Sequence, residues 1–408
     1  MRGATDLNKD YLQGEVLRAV EDHKQELWDL ARFMYENPEL GYREQQASKA
    51  VAEFLESAGF QVELGIGGLA TALKACREGV GLGPHVAFLA EYDALPGIGH
   101  GCGHNWIAAA AVGAAVGMLP ALDHVAGAIY VVGCPAEEGY VDNAGGKVAL
   151  LESGCFQGIQ AALLLHPAGE TVLDSTANAR EAVEISFHGR AAHASAAPHE
   201  GINALEALIQ TFVALNGLRA QFPDEVRVHG VITKGGEAPN IVPHFASARF
   251  YVRAYHSGVL ARAVESLKAC ARGAAMATGA QVEFRSFAYP YAAMRPNRTL
   301  VRCFSKNLGC LGIQADSQRQ LGYGSTDLGN VSQVMPAIHP YLRITQENIP
   351  LHTRWFAQAT VTDTGLRSLL TGAKALALTA LDLLVDDDLW RSVQAEYAQK
   401  DYGPGISQ

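Results

Sequence analysis

This 408-residue chain has no run of basic residues, no closely spaced cysteine pair and no long apolar leader, and each absence removes a class of function. Lys and Arg number 32 against 42 Asp and Glu, a formal net charge of -10. Neutralising phosphates needs basic surface, so nucleic acid is not an expected partner. The seven cysteines are scattered with no CxxC spacing, which argues against a disulfide framework and for a reducing, cytoplasmic setting. The first 24 residues mix charges throughout and lack the apolar core of a signal peptide. The most apolar helical stretch, 106–119, is rich in alanine and glycine and stops at Pro120, too short and too weakly hydrophobic for a membrane span. Internal repeats and low-complexity segments are also missing. The composition is 49% hydrophobic and 18% charged, the balance of a folded enzyme-sized protein. Its length suggests two domains, one inserted into the other.

Apolar residues recur at helical spacing over 26–55, interrupted by "ENPELGY". Three short apolar runs come next, at 86–90, 128–132 and 161–165, each with the length and aliphatic content of a strand buried on both faces. Helical segments separate them, so an α/β domain with a mostly parallel sheet is expected. Near Arg180 the pattern changes. Strand patterns at 180–193, 226–233, 246–253 and 282–287 and helical ones at 201–218 and 259–275 give the order βαββαβ of a ferredoxin-like unit. The expected segments are 1–179 and 292–408 for the α/β domain and 180–291 for the inserted α+β domain.

The residues just past each apolar run carry the chemistry. Glu91 and Asp93 come after the first, Glu137 and Glu138 after the second, and His166 after the third. Parallel sheets gather ligands beyond the carboxyl ends of their strands, and "GHGCGHN" lies on a loop of that same edge. Cys102 and His104 flank a single glycine and can turn toward one centre. Thiolate, imidazole and carboxylate together suit zinc, with manganese, cobalt or nickel also compatible. A metal lowers the pKa of its water from about 15.7 toward ~7, so one of two adjacent glutamates can bind the cation while the other accepts the proton. Asp93 reads either as the carboxylate that fixes a histidine tautomer or as a turn cap. His166 reads as a ligand or a hydrogen-bonded core histidine, and His352 in "ENIPLHTRWF" says little by spacing alone.

The segments "AEYDALPGIGHGCGHN", "PAEEG", "LLLHP", "HGRAAHASAAPHEGINALEALI", "APNIVP", "GSTDLGNVSQVMPAIHP" and "PLHTRWF" resemble, in order and spacing, the aminoacylase and carboxypeptidase family of metallopeptidases. The branch it most resembles is the cysteine-containing one, with p-aminobenzoyl-glutamate hydrolases, indole-acetyl-amino-acid hydrolases and related dipeptidases. The resemblance covers about residues 25–385. It implies that Cys102, His104, Glu138, His166 and His352 bind two divalent metal ions and that Glu137 is the general base. It further implies that His193, on the inserted lid and dimerisation domain, stabilises the oxyanion, in dimeric relatives from the partner subunit. Asn240 and Arg253 fall where the family's lid contacts substrate. Two positions depart from the wider family. Glu91 stands where many members have a histidine ligand, and Asn105 stands where the auxin-conjugate hydrolases have aspartate.

The reading is a metal-dependent amidohydrolase or peptidase, a homodimer, acting on a small N-acylated amino acid, an aminobenzoyl-glutamate-like conjugate or a dipeptide. Metal-bound water would be the nucleophile. Three other readings use the same residues. Cys102 with His104 could form a cysteine-nucleophile acyl hydrolase, though Glu137 and Glu138 would then be idle. A phosphate loop at "GHGCGHN" would want a GK[ST] after it, which is not there. A metal-binding but inactive regulatory protein would not need Glu137 or His193.

Overall fold

The computed structural model describes residues 9–321 and 324–399. The outer ends of the expected segments 1–179 and 292–408, and residues 322–323, lie outside the described residues. The chain forms two compact units. One runs up to Thr176 and takes in Met294–Leu321 and the residues from Asn330 on; the other is Ala177–Ala293 with Gly322–Gly329.

The first unit is built on a six-stranded sheet. Its strands lie side by side as Gln61–Leu64, Leu73–Glu78, Ala128–Cys134, His85–Glu91, Ala161–Leu163 and Ala337–Ile338. The last four pair in parallel, while the two at the other edge are antiparallel. Apolar strands buried on both faces make the parallel part, as their unbroken hydrophobic runs require. The two edge strands escaped the sequence reading because their outer residues are polar and exposed.

Two sequence expectations are corrected here. The first apolar run does not stop before its carboxylate: Glu91 is the last residue of the strand and is buried with it. The third run is not one strand. It ends at Leu163, and His166 opens a separate short strand, His166–Ala168, in a second sheet with Val172–Thr176, Tyr341–Arg343 and Ser317–Leu321. The turn between them is fixed because the Leu164 and His166 amides donate to the carbonyls of Ile338 and Pro340.

The helix His104–Gly117, "HNWIAAAAVGAAVG", is apolar all round and every residue of it is buried. Such a helix belongs inside a protein. With its extension to Leu122 it is 19 residues long, enough by length and composition to cross a membrane, but 89% of its apolar window is buried in the core. It packs between the strand His85–Glu91 and the helix Asp363–Val385. The close approach depends on Gly372, where an added Cβ would lie 2.5 Å from Leu165 and 3.1 Å from Trp106.

In the second unit four strands lie in the order Gln281–Arg285, Ala179–His188, Phe245–Ala254, Arg227–Lys234, all antiparallel. This is the ferredoxin-like arrangement. The helix Ala204–Leu218 starts at Asn203, whose side chain accepts from the Leu205 and Glu206 amides. The helix Ser257–Thr278 ends at Gly279 in the left-handed region, φ 76°. Val183, Ile185, Phe187, Leu208, Phe250 and Leu267 belong to the buried core of this unit.

Trp106 is fully buried, and its indole N–H donates to the Gly365 carbonyl at 3.0 Å. Trp106→Ala should therefore cost about 3–5 kcal/mol of unfolding free energy, measured by urea titration. A loss below about 1 kcal/mol would show that the helix–helix contact relaxes to fill the space.

Candidate metal centre

Five loops of the first unit meet at the carboxyl edge of its parallel strands. Gly103 sits in the left-handed region at φ 84°, and a Cβ there would lie 2.5 Å from Pro167. That turn places Cys102 just before the long buried helix and His104 on its first residue. The His352 loop is tied to the same turn, since the His352 amide donates to the Gly101 carbonyl at 2.8 Å. His352 itself has φ 62°.

The turn "PAEEG" is shaped by Ala136, at φ 52°. A left-handed alanine costs roughly 1–2 kcal/mol, so something must hold it. Its amide donates to Glu44 Oε1 at 2.9 Å and its carbonyl accepts from the Gly145 amide at 2.8 Å. Glu44 is fully buried and also accepts from the Thr71 hydroxyl at 2.8 Å. Burial first, and then Asp93, raise its carboxyl to about 7.

The donor atoms converge in overlapping groups. Cys102, His104 and His166 form one, Cys102, Glu138 and His352 another, and His104, Glu137 and Glu138 a third, with atoms in each group within 4.8 Å of one another. All of the expected ligands and the expected base are thus in one cluster. Asp93 braces it from behind: His104 Nδ1 donates to its Oδ1 at 2.9 Å, and the Glu138 amide donates to its Oδ2 at 3.0 Å. His166 Nδ1 donates to the Pro167 carbonyl at 2.7 Å, which turns the Nε2 lone pair toward Cys102 Sγ, 3.4 Å away. Burial holds His166 down at about 4, so it is a neutral imidazole.

These residues fit a metal. His104 Nε2 and Glu138 Oε1 are buried, face the cluster and have no hydrogen-bond partner. Burial, and then Glu138, push the Cys102 thiol well above its usual range. That opposes the thiolate a cysteine nucleophile needs, whereas a coordinated cation would favour it.

The remaining expected residues lie in the second unit. His193 is exposed and bridged to Ile241, and the Ala194 amide donates to the Asn240 carbonyl at 3.0 Å, so the His193 and Asn240 segments run together. Arg253 pairs in register with Arg180 on the neighbouring strand, and its guanidinium lies 5.9 Å from the Tyr251 ring centre. Sequence reasoning passed over Glu44 and Lys147. Glu44 stands between the first helices with no chemical partner nearby in sequence. Lys147 is the one cation of the helix Gly146–Glu152, "GKVALLE", and it is fully buried.

A family model described as the peptidase dimerisation domain matches residues 181–277. The Xaa-Arg dipeptidase of Mus musculus is 36% identical, over 96% of this chain and 93% of its own length. The chain belongs to the M20 peptidase family. A subunit of the p-aminobenzoyl-glutamate hydrolase of Escherichia coli is 28% identical, over 93% and 94% of the two chains. A Bacillus subtilis protein described as a dinuclear metal binding peptidase of the M20 family superposes with a TM-score of 0.67 at 22% identity, covering 89% of this chain and 99% of that one. This M20 protein is accordingly a metal-dependent hydrolase of carbon–nitrogen bonds, and the cysteine-nucleophile reading is not favoured.

Glu44 gives a pH-dependent test of how the turn is held. Its carboxyl is raised from the ordinary 4.5 to about 7, so between those values the folded protein binds a proton that the unfolded chain has released. The resulting stability is present at low pH and lost as pH rises through that window. In metal-free protein, urea unfolding should show wild type losing stability relative to Glu44→Gln between about pH 5 and about pH 8. A gap that does not change with pH would mean that Glu44 stays ionised in the fold.

Proposed function

We propose that this protein hydrolyses the amide bond of a small N-acylated amino acid, an aminobenzoyl-glutamate-like conjugate or a dipeptide. Cys102, His104, Glu138, His166 and His352 would hold two divalent ions, zinc or manganese before cobalt or nickel. The observation that carries this reading is the convergence of sulfur, imidazole and carboxylate donors, two of them buried atoms with no hydrogen-bond partner. The ions would supply Lewis acidity to the substrate carbonyl and make water acidic enough to deprotonate near neutral pH. Glu137, half-buried beside His104 and Glu138, accepts that proton and passes it to the leaving amine.

His193 supplies a hydrogen bond to the developing oxyanion. Its Nδ1 faces the backbone amides of Ser195 and Ala196 at 3.3 and 3.2 Å, so it is an acceptor and the donor hydrogen sits on exposed Nε2. That tautomer is the one the role requires. Asn240 and Arg253 recognise the substrate carboxylate. A cytoplasmic location accords with seven free cysteines.

A homodimer through the second unit accords with its surface. The edge strand Arg227–Lys234 exposes seven of its eight residues, including Val231 and Ile232. The helix Ala204–Leu218 exposes Ile209 and Val213. An open edge with apolar side chains invites pairing, and a second copy of the same edge closes it.

Chelation should abolish hydrolysis and added Zn²⁺ or Mn²⁺ should restore it. Glu137→Ala should keep its metal and lose about 10²–10⁴-fold in kcat, whereas Glu138→Ala should lose metal, as read by elemental analysis beside kinetics. Full activity in metal-free protein would sink this reading, and reversed behaviour of the two variants would reverse their roles.

Val213→Glu combined with Val231→Glu should give a monomer in light scattering while keeping its metal. If His193 acts in trans, mixing His193→Ala with Glu137→Ala subunits should recover roughly a quarter of wild-type activity, because half the dimers carry one complete site. No recovery after verified exchange would put His193 in cis.

A further inference from the structure

One buried ion pair beside the metal-binding residues has no part in the function proposed above. Glu91 is 1% exposed and Lys147 is fully buried. Lys147 Nζ lies 2.5 Å from Glu91 Oε1, while Oε2 of the same carboxylate faces His104 Nε2 at 3.6 Å. His104 gives its Nδ1 hydrogen to Asp93, so Nε2 is the ring atom that faces Oε2. That Nε2 is buried and has no hydrogen-bond partner, and a metal ion placed between it and Oε2 would satisfy both.

The spacing favours the metal. Two donors about 2.0–2.3 Å from one ion at a tetrahedral angle lie roughly 3.3–3.7 Å apart. Cys102 Sγ and His166 Nε2 are 3.4 Å apart, and Glu138 Oε1 and His352 Nε2 are 3.5 Å apart. The separation of 3.6 Å between Glu91 and His104 belongs to the same set.

We propose that Glu91 is a further metal donor, coordinating through Oε2 the ion held by His104, with Lys147 as the positioning residue that keeps Oε1 occupied. This inference rests on the dinuclear hydrolase reading. Lys147 explains why the carboxylate can be fully buried: the ammonium neutralises it, and leaves a single oxygen for the ion.

The test is a Co²⁺ titration of metal-free full-length protein, with bound metal counted after dialysis and the visible absorption of bound Co²⁺ recorded. Wild type should bind two ions. Glu91→Gln should bind one of them more weakly by more than the 10–100-fold (roughly) typical of residues behind the ligands, with altered visible bands. Lys147→Met should weaken binding by about 10–100-fold yet keep a near wild-type spectrum once saturated. Wild-type affinity and spectrum in Glu91→Gln would overturn the inference alone, and so would weaker binding with an unchanged saturated spectrum. A wild type that binds fewer than two ions would overturn the dinuclear reading and this inference with it. Should Glu91→Gln fail to fold by circular dichroism, Glu91→Asp takes its place. Its shorter carboxylate should shift the Co²⁺ bands, and an unshifted spectrum would remove Glu91 from the donor set.

Discussion

Both oxygens of Asp93 are engaged, one by the His104 imidazole and the other by the Glu138 amide. This single carboxylate therefore joins two loops that leave different strands of the parallel sheet. It fixes His104 so that Nε2 points inward, and it draws the "PAEEG" turn close enough for Glu138 to face the same space. The rest of the centre is arranged around that link. Glu44 holds the left-handed Ala136 at the start of the turn, and the Gly101 carbonyl holds the amide of His352. His104, Glu138 and His352 are thereby each fixed by a hydrogen bond away from the atom that faces the cluster. Preorganisation of this kind lets a set of loops act like a rigid scaffold.

Much of this was legible in the sequence, and the reasons are physical. A buried parallel strand has to be an unbroken apolar run, so three such runs located the centre of the sheet and therefore the edge where a site would lie. Alternating strands and two amphipathic helices gave the βαββαβ unit because one face of its sheet packs on helices and the other does not. The motifs carried the residues that the structure brings into one cluster. The strand edges were harder: Gln61–Leu64 and Leu73–Glu78 are short and partly exposed, and without a second buried face they have no distinctive pattern. His166 shows a different limit. Its residues read as the tail of a buried strand, but the chain switches sheets there through amide contacts with Ile338 and Pro340, far away in sequence. Lys147 was invisible for the same reason. Its partner Glu91 stands 56 residues earlier, and no local pattern marks a buried lysine whose charge is matched only in three dimensions.

The two faces of the sheet in the second unit differ. One packs on the helices. The other carries Arg249, Tyr251 and Arg253, which alternate with the core positions Ala248, Phe250 and Val252, and Arg180, in register with Arg253 on the neighbouring strand. Arg180 is buried against the rings of Tyr251 and Tyr291, at 4.5 and 3.6 Å from their centres. Stacking occupies the faces of a guanidinium and leaves its in-plane N–H edges for other partners, one of which is the Tyr289 carbonyl at 3.3 Å.

Burial within the cluster is graded, and the grading accords with the roles proposed above. Cys102, His104, Glu138 and His166 are all buried, and burial would keep solvent from competing for ions held there. Glu137 is only half-buried and the His352 side chain is 49% exposed, so these two mark the side of the cluster that is open to solvent. A ligand that only holds a metal gains from being sealed. A base that must take a proton from water and return it to a departing amine has to remain within reach of both. The adjacent glutamates satisfy these opposite demands because a left-handed alanine, held by Glu44, turns one of them inward and leaves the other at the opening. The strain at Ala136 thus shapes the turn that carries both glutamates, and the buried carboxyl group of Glu44 holds it in place.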